Sequence, residues 1–450
     1  MRSDLADIYG QDKLPRYTSY PTAPHFSSAI GEKVYRRWLR SVSVHRPVSL
    51  YFHIPFCRSM CWYCGCHTSV ATHDEPIAAF IAALRREAQL VADTIEKSLP
   101  VAHLHFGGGT PTIMAPQLLV DLADALRYIF FVTPDAEIAV EVDPRTLTND
   151  LTQAFKYCGV TRASLGVQSF DPRVQRTINR LQSFEQTAAA VERLRRAGVR
   201  GINFDLLYGL PFQTVSSCLD SIAKCVELRP DRLSVFGYAH VPSFKKHQRN
   251  IAEESLPDSV ERHVQSETIA EALQDAGYMR IGLDHFALPD DALATAQRDG
   301  RLRRNFQGYT DDGSDTLIGL GASAIGRMPH GFVQNVVAIR DYLNRIAEGR
   351  LATVKGYAFT EDDLFRADII ERIMCDLTVD LEQISRIHRR DLRTAVVDRA
   401  RMDRLLADGV ATMSQGRLTV SEGSEFLVRS VASAFDAHLS RSTGVHSRAV

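Results

Sequence analysis

YFHIPFCRSMCWYCGC, residues 51–66, joins two signals. Its start belongs to the run VSLYFHI (48–54), apolar and rich in β-branched and aromatic residues, which reads as a strand. Its end places Cys57, Cys61, Cys64 and Cys66 within ten residues. Five further runs of the same character follow, at 101–106 (VAHLHF), 137–142 (EIAVEV), 161–167 (TRASLGV), 202–208 (INFDLLY) and 232–238 (RLSVFGY). Helix-like stretches lie near 75–97, 115–130, 172–197, 215–228 and 257–276. The alternation predicts six βα units around a parallel sheet. Period alone leaves open a doubly wound sheet or a partial TIM-like barrel. In both, the chemistry sits at the carboxyl ends of the strands. The chemical motifs fall there: cysteines after the first run, GGGTPT after the second, Glu141 ending the third and Gln168 ending the fourth, with Asp205 inside the fifth.

The 450 residues are 45% hydrophobic and 24% charged, with a net charge of −1. That suits one large domain and a smaller one. It gives no bulk electrostatic drive toward nucleic acid or an anionic membrane. MRSDLADIYGQDKL (1–14) is charged from residue 2 and has no apolar core of a secretory signal, and no run of eighteen apolar residues occurs. A cytoplasmic protein without a membrane span is expected.

The pattern changes near 340. TEDDLFRADIIERIM (360–374) opens on a threonine and acids, as a helix N-terminus does. GVATMSQGRLTVSEGSEFL (409–427) reads as two short strands and turns, so a winged-helix-like appendage is expected. The basic stretch RIHRRDLRTAVVDRARMDR (386–404) is interspersed with acids and is read as a solvated face rather than a DNA surface. The expected units are an N-terminal segment 1–39 over the active site, a barrel at 40–340, and a mostly helical domain at 341–450.

Clustered cysteines in a chain without a signal point to metal rather than disulfides. Cys57, Cys61 and Cys64 spell C-x3-C-x2-C. Three thiolates can hold three irons of a cubane and leave the fourth open to another ligand. Zinc is the alternative, although it usually takes two separated pairs; Cys64, Cys66 and His67 remain a set it could use. Cys66 is open to three readings: a ligand, a nearby thiol or a packed cysteine. Cys158, Cys218, Cys225 and Cys375 are expected to be small buried hydrophobes.

Each other candidate has two readings. Gly107–Gly109 either bring backbone close to a ligand or make a tight turn, and the pattern is not a nucleotide-phosphate loop. Glu141 is a ligand-binding or a solvated carboxylate. Tyr51 is a site residue or a core aromatic. Asp205 stands in an apolar run and needs a partner, for which Arg180 is a candidate. RNFQGYT (304–310) is in isolation a polar–aromatic loop. His53, His103, His105, His240 and His285 are read as satisfied core groups.

C-x3-C-x2-C with Tyr63 before its last cysteine resembles the hallmark of the radical S-adenosylmethionine superfamily. Within it, RYTSYPTAPHF (16–26), YFHIPFC (51–57), C-G-C (64–66), HFGGGTPT (105–112), EVDP (141–144), GVQSF (166–170), DLLYGLP (205–211), RLSVFGYAHVP (232–242) and RNFQGYT (304–310) are similar, in order, to the oxygen-independent coproporphyrinogen III oxidase family. The similarity runs from about residue 15 to 440.

The resemblance implies an α/β fold, a partial (β/α)6 barrel of the radical SAM type with a C-terminal winged-helix-like domain. It implies a [4Fe–4S] cluster on Cys57, Cys61 and Cys64, and two molecules of S-adenosyl-L-methionine. Tyr51, Gly108, Glu141 and Ile325 would face the first. Tyr63, Gly109, Thr110, Gln168, Arg180, Asp205 and Ala239 would face the second. Phe306 and Gln307 join Tyr51 and Glu141 as implied catalytic residues. The implied reaction turns two propionates of coproporphyrinogen III into vinyls, giving protoporphyrinogen IX for haem biosynthesis, through a 5′-deoxyadenosyl radical. Implied partners are that substrate and a small electron donor such as flavodoxin or ferredoxin, for a monomer that binds neither nucleic acid nor membrane. Arg16, Arg303 and Arg304 are candidate cations for the anionic substrate. The alternative is a related haem chaperone, which binds haem without turnover and typically lacks Cys66 and the RYTSYPT-type segment.

Overall fold

The computed structural model describes residues 3–10 and 12–439. The six runs form strands β1 (Val48–Ile54), β2 (Pro100–Gly108), β3 (Phe131–Val142), β4 (Arg162–Gln168), β5 (Gly201–Tyr208) and β6 (Arg232–Gly237). They pair in parallel and in chain order, β1 to β6. A doubly wound sheet reverses direction at a switch point. Here nothing reverses, so each crossover winds the same way, and the architecture is the partial barrel.

Helices α1 (Glu75–Ile95), α2 (Pro116–Ile129), α3 (Asn149–Cys158), α4 (Phe184–Arg196), α5 (Val215–Leu228) and α6 (Ser259–Asp275) alternate with the strands. The stretch expected to be helical over 172–197 is broken. A short helix, Pro172–Thr177, ends before Asn179, whose φ is +55°, and Ser183 starts α4 with a capping box to Gln186. Helix α3 escaped the sequence reading.

The sheet extends beyond six strands. After β6 come β7 (Met279–Ile281) and β8 (His285–Ala287), then β9 (Leu317–Leu320), β10 (Ile325–Met328), β11 (Gly331–Asn335) and β12 (Thr353–Ala358). Their order is β12-β11-β10-β9-β1-β2-β3-β4-β5-β6-β8-β7, with β9 parallel to β1 and the outer strands antiparallel. Because β12 belongs to this sheet, we place the boundary of the barrel unit after Ala358 rather than at 340.

The two faces of the strands differ. On β5, Ile202, Phe204 and Leu206 are buried among the hydrophobic core, while Asn203, Asp205 and Leu207 face the interior cavity. On β6, Arg232, Ser234 and Phe236 face it. A packed barrel interior is usually filled with branched apolar side chains; a polar lining marks a ligand chamber. Its floor is ionic. Arg232 pairs with Asp291 at 2.6 Å, and Arg162 reaches Asp291 at 3.5 Å and Glu137 at 3.7 Å.

One buried carboxylate ties α1 to the antiparallel wing. Glu87 accepts hydrogen bonds from Gly321 N (2.7 Å), Asn335 Nδ2 (2.7 Å) and Tyr342 Oη (2.8 Å). Burial pushes its carboxyl up to about 7 against those three donors. A folded value above the unfolded one means that the folded state binds the proton more tightly. The stability from that proton is present below about 4.5 and is lost as pH rises through about 7, on the order of 3 kcal/mol. Glu87→Gln, whose amide presents a donor to donors, is expected to be less stable than the parent at pH 5. That deficit should shrink by pH 8 in anaerobic thermal melts. A deficit that grows with pH contradicts this account.

The C-terminal unit contains helices Glu361–Asp376, Leu381–His388 and Arg399–Ala407, and a three-stranded sheet of Thr378–Asp380, Arg417–Val420 and Ala411–Ser414. Phe365, Ile369, Leu405, Leu418 and Phe435 form its core, together with Leu5, Ala6, Tyr9, Tyr17 and Tyr20 from the N-terminal segment. Tyr17 Oη donates to Asp436 Oδ2 at 3.0 Å, and Tyr20 Oη accepts from Ala437 N at 3.0 Å. In the basic stretch, Arg390 pairs with Glu361, Arg393 with Asp391, and Arg401 with Asp12. Among the described residues, no helix is long and apolar enough to cross a membrane.

Candidate active site

The loop after β1 is pinned at its ends and along its length. Phe56–Cys57 pairs with Ser69–Val70, so the cysteine loop closes on itself. Its carbonyls are then held from outside. Asn179 Nδ2 donates to Met60 O (2.9 Å), Gln248 Nε2 to Tyr63 O (3.0 Å), His247 Nε2 to Cys64 O (2.7 Å), Lys245 Nζ to Cys66 O (2.9 Å) and His53 Nε2 to His67 O (2.9 Å). Backbone carbonyls turned outward leave the thiols to face inward.

Cys57, Cys61, Cys64 and Cys66 line one cavity of about 1180 Å³. Cys57 Sγ lies 3.3 Å from the hydroxyls of Thr68 and Thr110, and Cys61 Sγ lies 3.7 Å from Arg180 Nη1. Burial pushes the Cys57 thiol up, and those two hydroxyls partly offset it. A hydrogen bond with Cys66 holds the Cys64 thiol below its ordinary value. Thr68, Thr110 and Arg180 thus place three donors against these two sulfurs. Among the described residues, no three His, Cys, Asp or Glu side chains stand close enough to share a single metal ion. Three soft donors on one rigid loop, spread along a cavity wall, fit a group larger than an ion.

The glycine turn follows β2. A side chain on Gly107 would put its Cβ 2.6 Å from Glu141 Oε1. Gly108 has a φ of +116°, and a Cβ there would meet the His53 ring at 2.7 Å. Glu141 accepts from Gly108 N at 3.1 Å and lies 3.4 Å from His105 Nε2. Gly108, Gly109, Thr110 and Glu141 all open onto the cavity.

Across the barrel, Asp205 accepts from Ser164 Oγ at 2.7 Å and Asn203 Nδ2 at 2.9 Å. Burial pushes its carboxyl up against those donors. The expected Asp205–Arg180 pair is not formed. Arg180 lies in the break before α4, donates to Gly166 O at 2.7 Å and pairs with Asp143 at 3.6 Å, while its buried Nε has no hydrogen-bond partner. Gln168 closes β4 at φ +67°, a strained conformation for a residue with a Cβ and one that clusters at functional sites. Tyr63, Gln168, Arg180, Asp205, Ala239 and Gln307 share the cavity with the cysteines.

Three expected residues stand apart from its lining. Tyr51 lies behind Gly107, with its hydroxyl 3.1 Å from His53 Nδ1 and its ring 5.7 Å from that of His105. Phe306 packs edge-on against Phe332 and Phe26, which stack on each other. Ile325 opens β10, paired with Gln334. Of the candidate cations, only Arg16 lines the cavity. Arg303 is paired with Glu371 at 2.8 Å, and Arg304 lies over the Tyr309 ring beside Asp284.

The residues that sequence reasoning missed are Thr68, Lys245, His247 and Gln248. FKKHQRN (244–250) carries no cysteine or glycine motif, and its contacts are to main-chain carbonyls about 180 residues away. Only the fold brings them together.

The profile of the Radical SAM superfamily matches residues 51–225. The chain is 58% identical over 450 residues to the oxygen-independent coproporphyrinogen III oxidase of Bradyrhizobium diazoefficiens, covering 100% of both. It is 42% identical over 438 residues to that of Paracoccus denitrificans, covering 97% of each. Among solved structures it is similar to coproporphyrinogen III oxidase from Escherichia coli, described as a radical SAM enzyme. The TM-score is 0.88 at 38% identity, covering 94% of this chain and 98% of that one.

Proposed function

This chain belongs to the oxygen-independent coproporphyrinogen III oxidase family of radical SAM enzymes, and on that premise we propose how its residues divide the work. The chain is an oxidoreductase that acts on coproporphyrinogen III without oxygen. Each of two propionates loses a β-hydrogen, CO2 and an electron and becomes a vinyl, so the product is protoporphyrinogen IX. The observation that carries the assignment of roles is that the three cysteines, the glycine turn, Glu141 and Asp205 all open onto one cavity.

Cys57, Cys61 and Cys64 hold a [4Fe–4S] cluster. When bound, that cluster and S-adenosylmethionine supply a 5′-deoxyadenosyl radical able to take hydrogen from an unactivated carbon. Glu141, anchored by Gly108 N, binds the cofactor nearest the cluster, and Tyr51 and Ile325 back its wall. Asp205, with Gln168, Arg180, Tyr63, Gly109, Thr110 and Ala239, binds a second S-adenosylmethionine. The cavity exceeds the roughly 300–1,000 Å³ common for a single small ligand, which supports more than one occupant. Gln307 and Phe306 border the substrate, and Arg16 meets one of its carboxylates. The N-terminal segment closes the mouth through Leu14, Pro15 and Arg16 and keeps water from the reacting centre. The electron comes from a small carrier, and the chain works as a cytoplasmic monomer.

The test is anaerobic product analysis with coproporphyrinogen III, a reductant and an electron acceptor. Methionine and 5′-deoxyadenosine are each expected at about two per protoporphyrinogen, one for each propionate converted. Tight haem binding with no vinyl product moves the chain to the chaperone role.

A further inference from the structure

The segment Phe244–Arg249 touches the cysteine loop from one side and solvent from the other. Lys245 and His247 are the two side chains that hold the Cys66 and Cys64 carbonyls, at 2.9 and 2.7 Å. Between and beside them, Lys246 and Arg249 are exposed and make no ion pair among the described residues. Phe244 leaves 64% of its surface in solvent. The acids of this segment, Glu253 and Glu254, come only in the next turn, Glu253–Ser255. The segment thus presents an exposed aromatic and two cations without ion pairs, next to the side chains that hold the Cys64 and Cys66 carbonyls.

We propose that Phe244, Lys246 and Arg249 form the docking patch for an acidic one-electron carrier protein that reduces the cluster. The proposal rests on the functional reading above, which requires electrons from outside. Cations steer an acidic carrier to this face, and the aromatic gives it an apolar anchor. Each docking passes one electron: the carrier is oxidised by one unit, the cluster is reduced by one, and no bond forms or breaks. Lys245 and His247 tie the patch to the cysteine loop through two direct hydrogen bonds to the Cys66 and Cys64 carbonyls.

The test uses the full chain, reconstituted anaerobically, with Phe244→Ser and the double variant Lys246→Glu/Arg249→Glu checked for equal iron content. Cluster reduction is followed by stopped-flow absorbance with reduced flavodoxin and, separately, with dithionite. With flavodoxin at low salt, the double variant is expected to be at least about tenfold slower than the parent, whose own rate falls as salt rises. With dithionite, a small reductant that needs no docking, parent and variants should agree within about twofold. Equal flavodoxin rates in parent and variants overturn the patch. So does a parent that sediments as a dimer and dissociates on Phe244→Ser, which assigns the face to a second copy. A parent whose iron neither reductant reduces overturns the functional reading and the patch with it.

Discussion

Cys57→Ser, Cys61→Ser and Cys64→Ser proteins should emerge from anaerobic reconstitution with iron and sulfide essentially colourless, while Cys66→Ser stays brown. Bound iron should fall from about four per chain to less than one in the first three. The loop explains why no other group can substitute. Met60, Tyr63, Cys64, Cys66 and His67 all have their carbonyls fixed by side chains from elsewhere, so the loop cannot rearrange to recruit a new ligand. Cys57 also spans the small strand pair, which sets its sulfur between Thr68 and Thr110. Cys66 differs because its thiol bonds to Cys64 and holds that sulfur toward the thiolate. Its replacement by Ser should leave three ligands in place, and the serine hydroxyl can still donate to the Cys64 sulfur. Iron loss in Cys66→Ser as complete as in Cys57→Ser would falsify the three-ligand assignment.

Equilibrium binding of S-adenosylmethionine to anaerobic protein should give two equivalents for the parent and about one for Asp205→Asn. Asp205 and Glu141 stand on β5 and β3, with β4 between them. The carboxylate of Asp205 receives two donors, from Ser164 and Asn203. An amide can keep both contacts, accepting from Asn203 and donating to the Ser164 hydroxyl, so the variant loses chiefly the charge. The loss of a charged hydrogen bond of about 1.5–3 kcal/mol weakens a site by about ten- to a hundredfold. Glu141→Ala should instead weaken the equivalent whose binding perturbs the cluster spectrum, since its carboxylate sits on the glycine turn beside Cys57. One equivalent in the parent removes the second site.

The barrel was legible because its strands are short apolar runs, such as VSLYFHI and INFDLLY, that alternate with helix-like stretches. Strands β9 to β12 were not legible, because they are short, interrupted by glycines, and form an extension that only pairing with β1 explains. The same limit explains Asp205. Its partners sit on β4 and on β5 two residues away, a matter of strand register that spacing along the chain does not report. Arg180 was recognisable as a residue that matters but not as the partner of Asp143, because a helix break put it on another wall. The cysteine motif was readable because its ligands are local, whereas the Lys245–Gln248 contacts that hold its carbonyls were not.

The N-terminal helix Ser3–Tyr9 packs among Phe365, Leu405 and Phe435. A growing chain therefore makes this element well before the residues it packs against. At about 5–20 residues per second, on the order of half a minute separates its emergence from that of Asp436, to which Tyr17 binds. In the last part of that interval, after Ala358 has emerged, the strands through β12 can pair while Tyr17 still lacks Asp436. The moment at which this segment seats is thus written into the order of the residues rather than into any moving part.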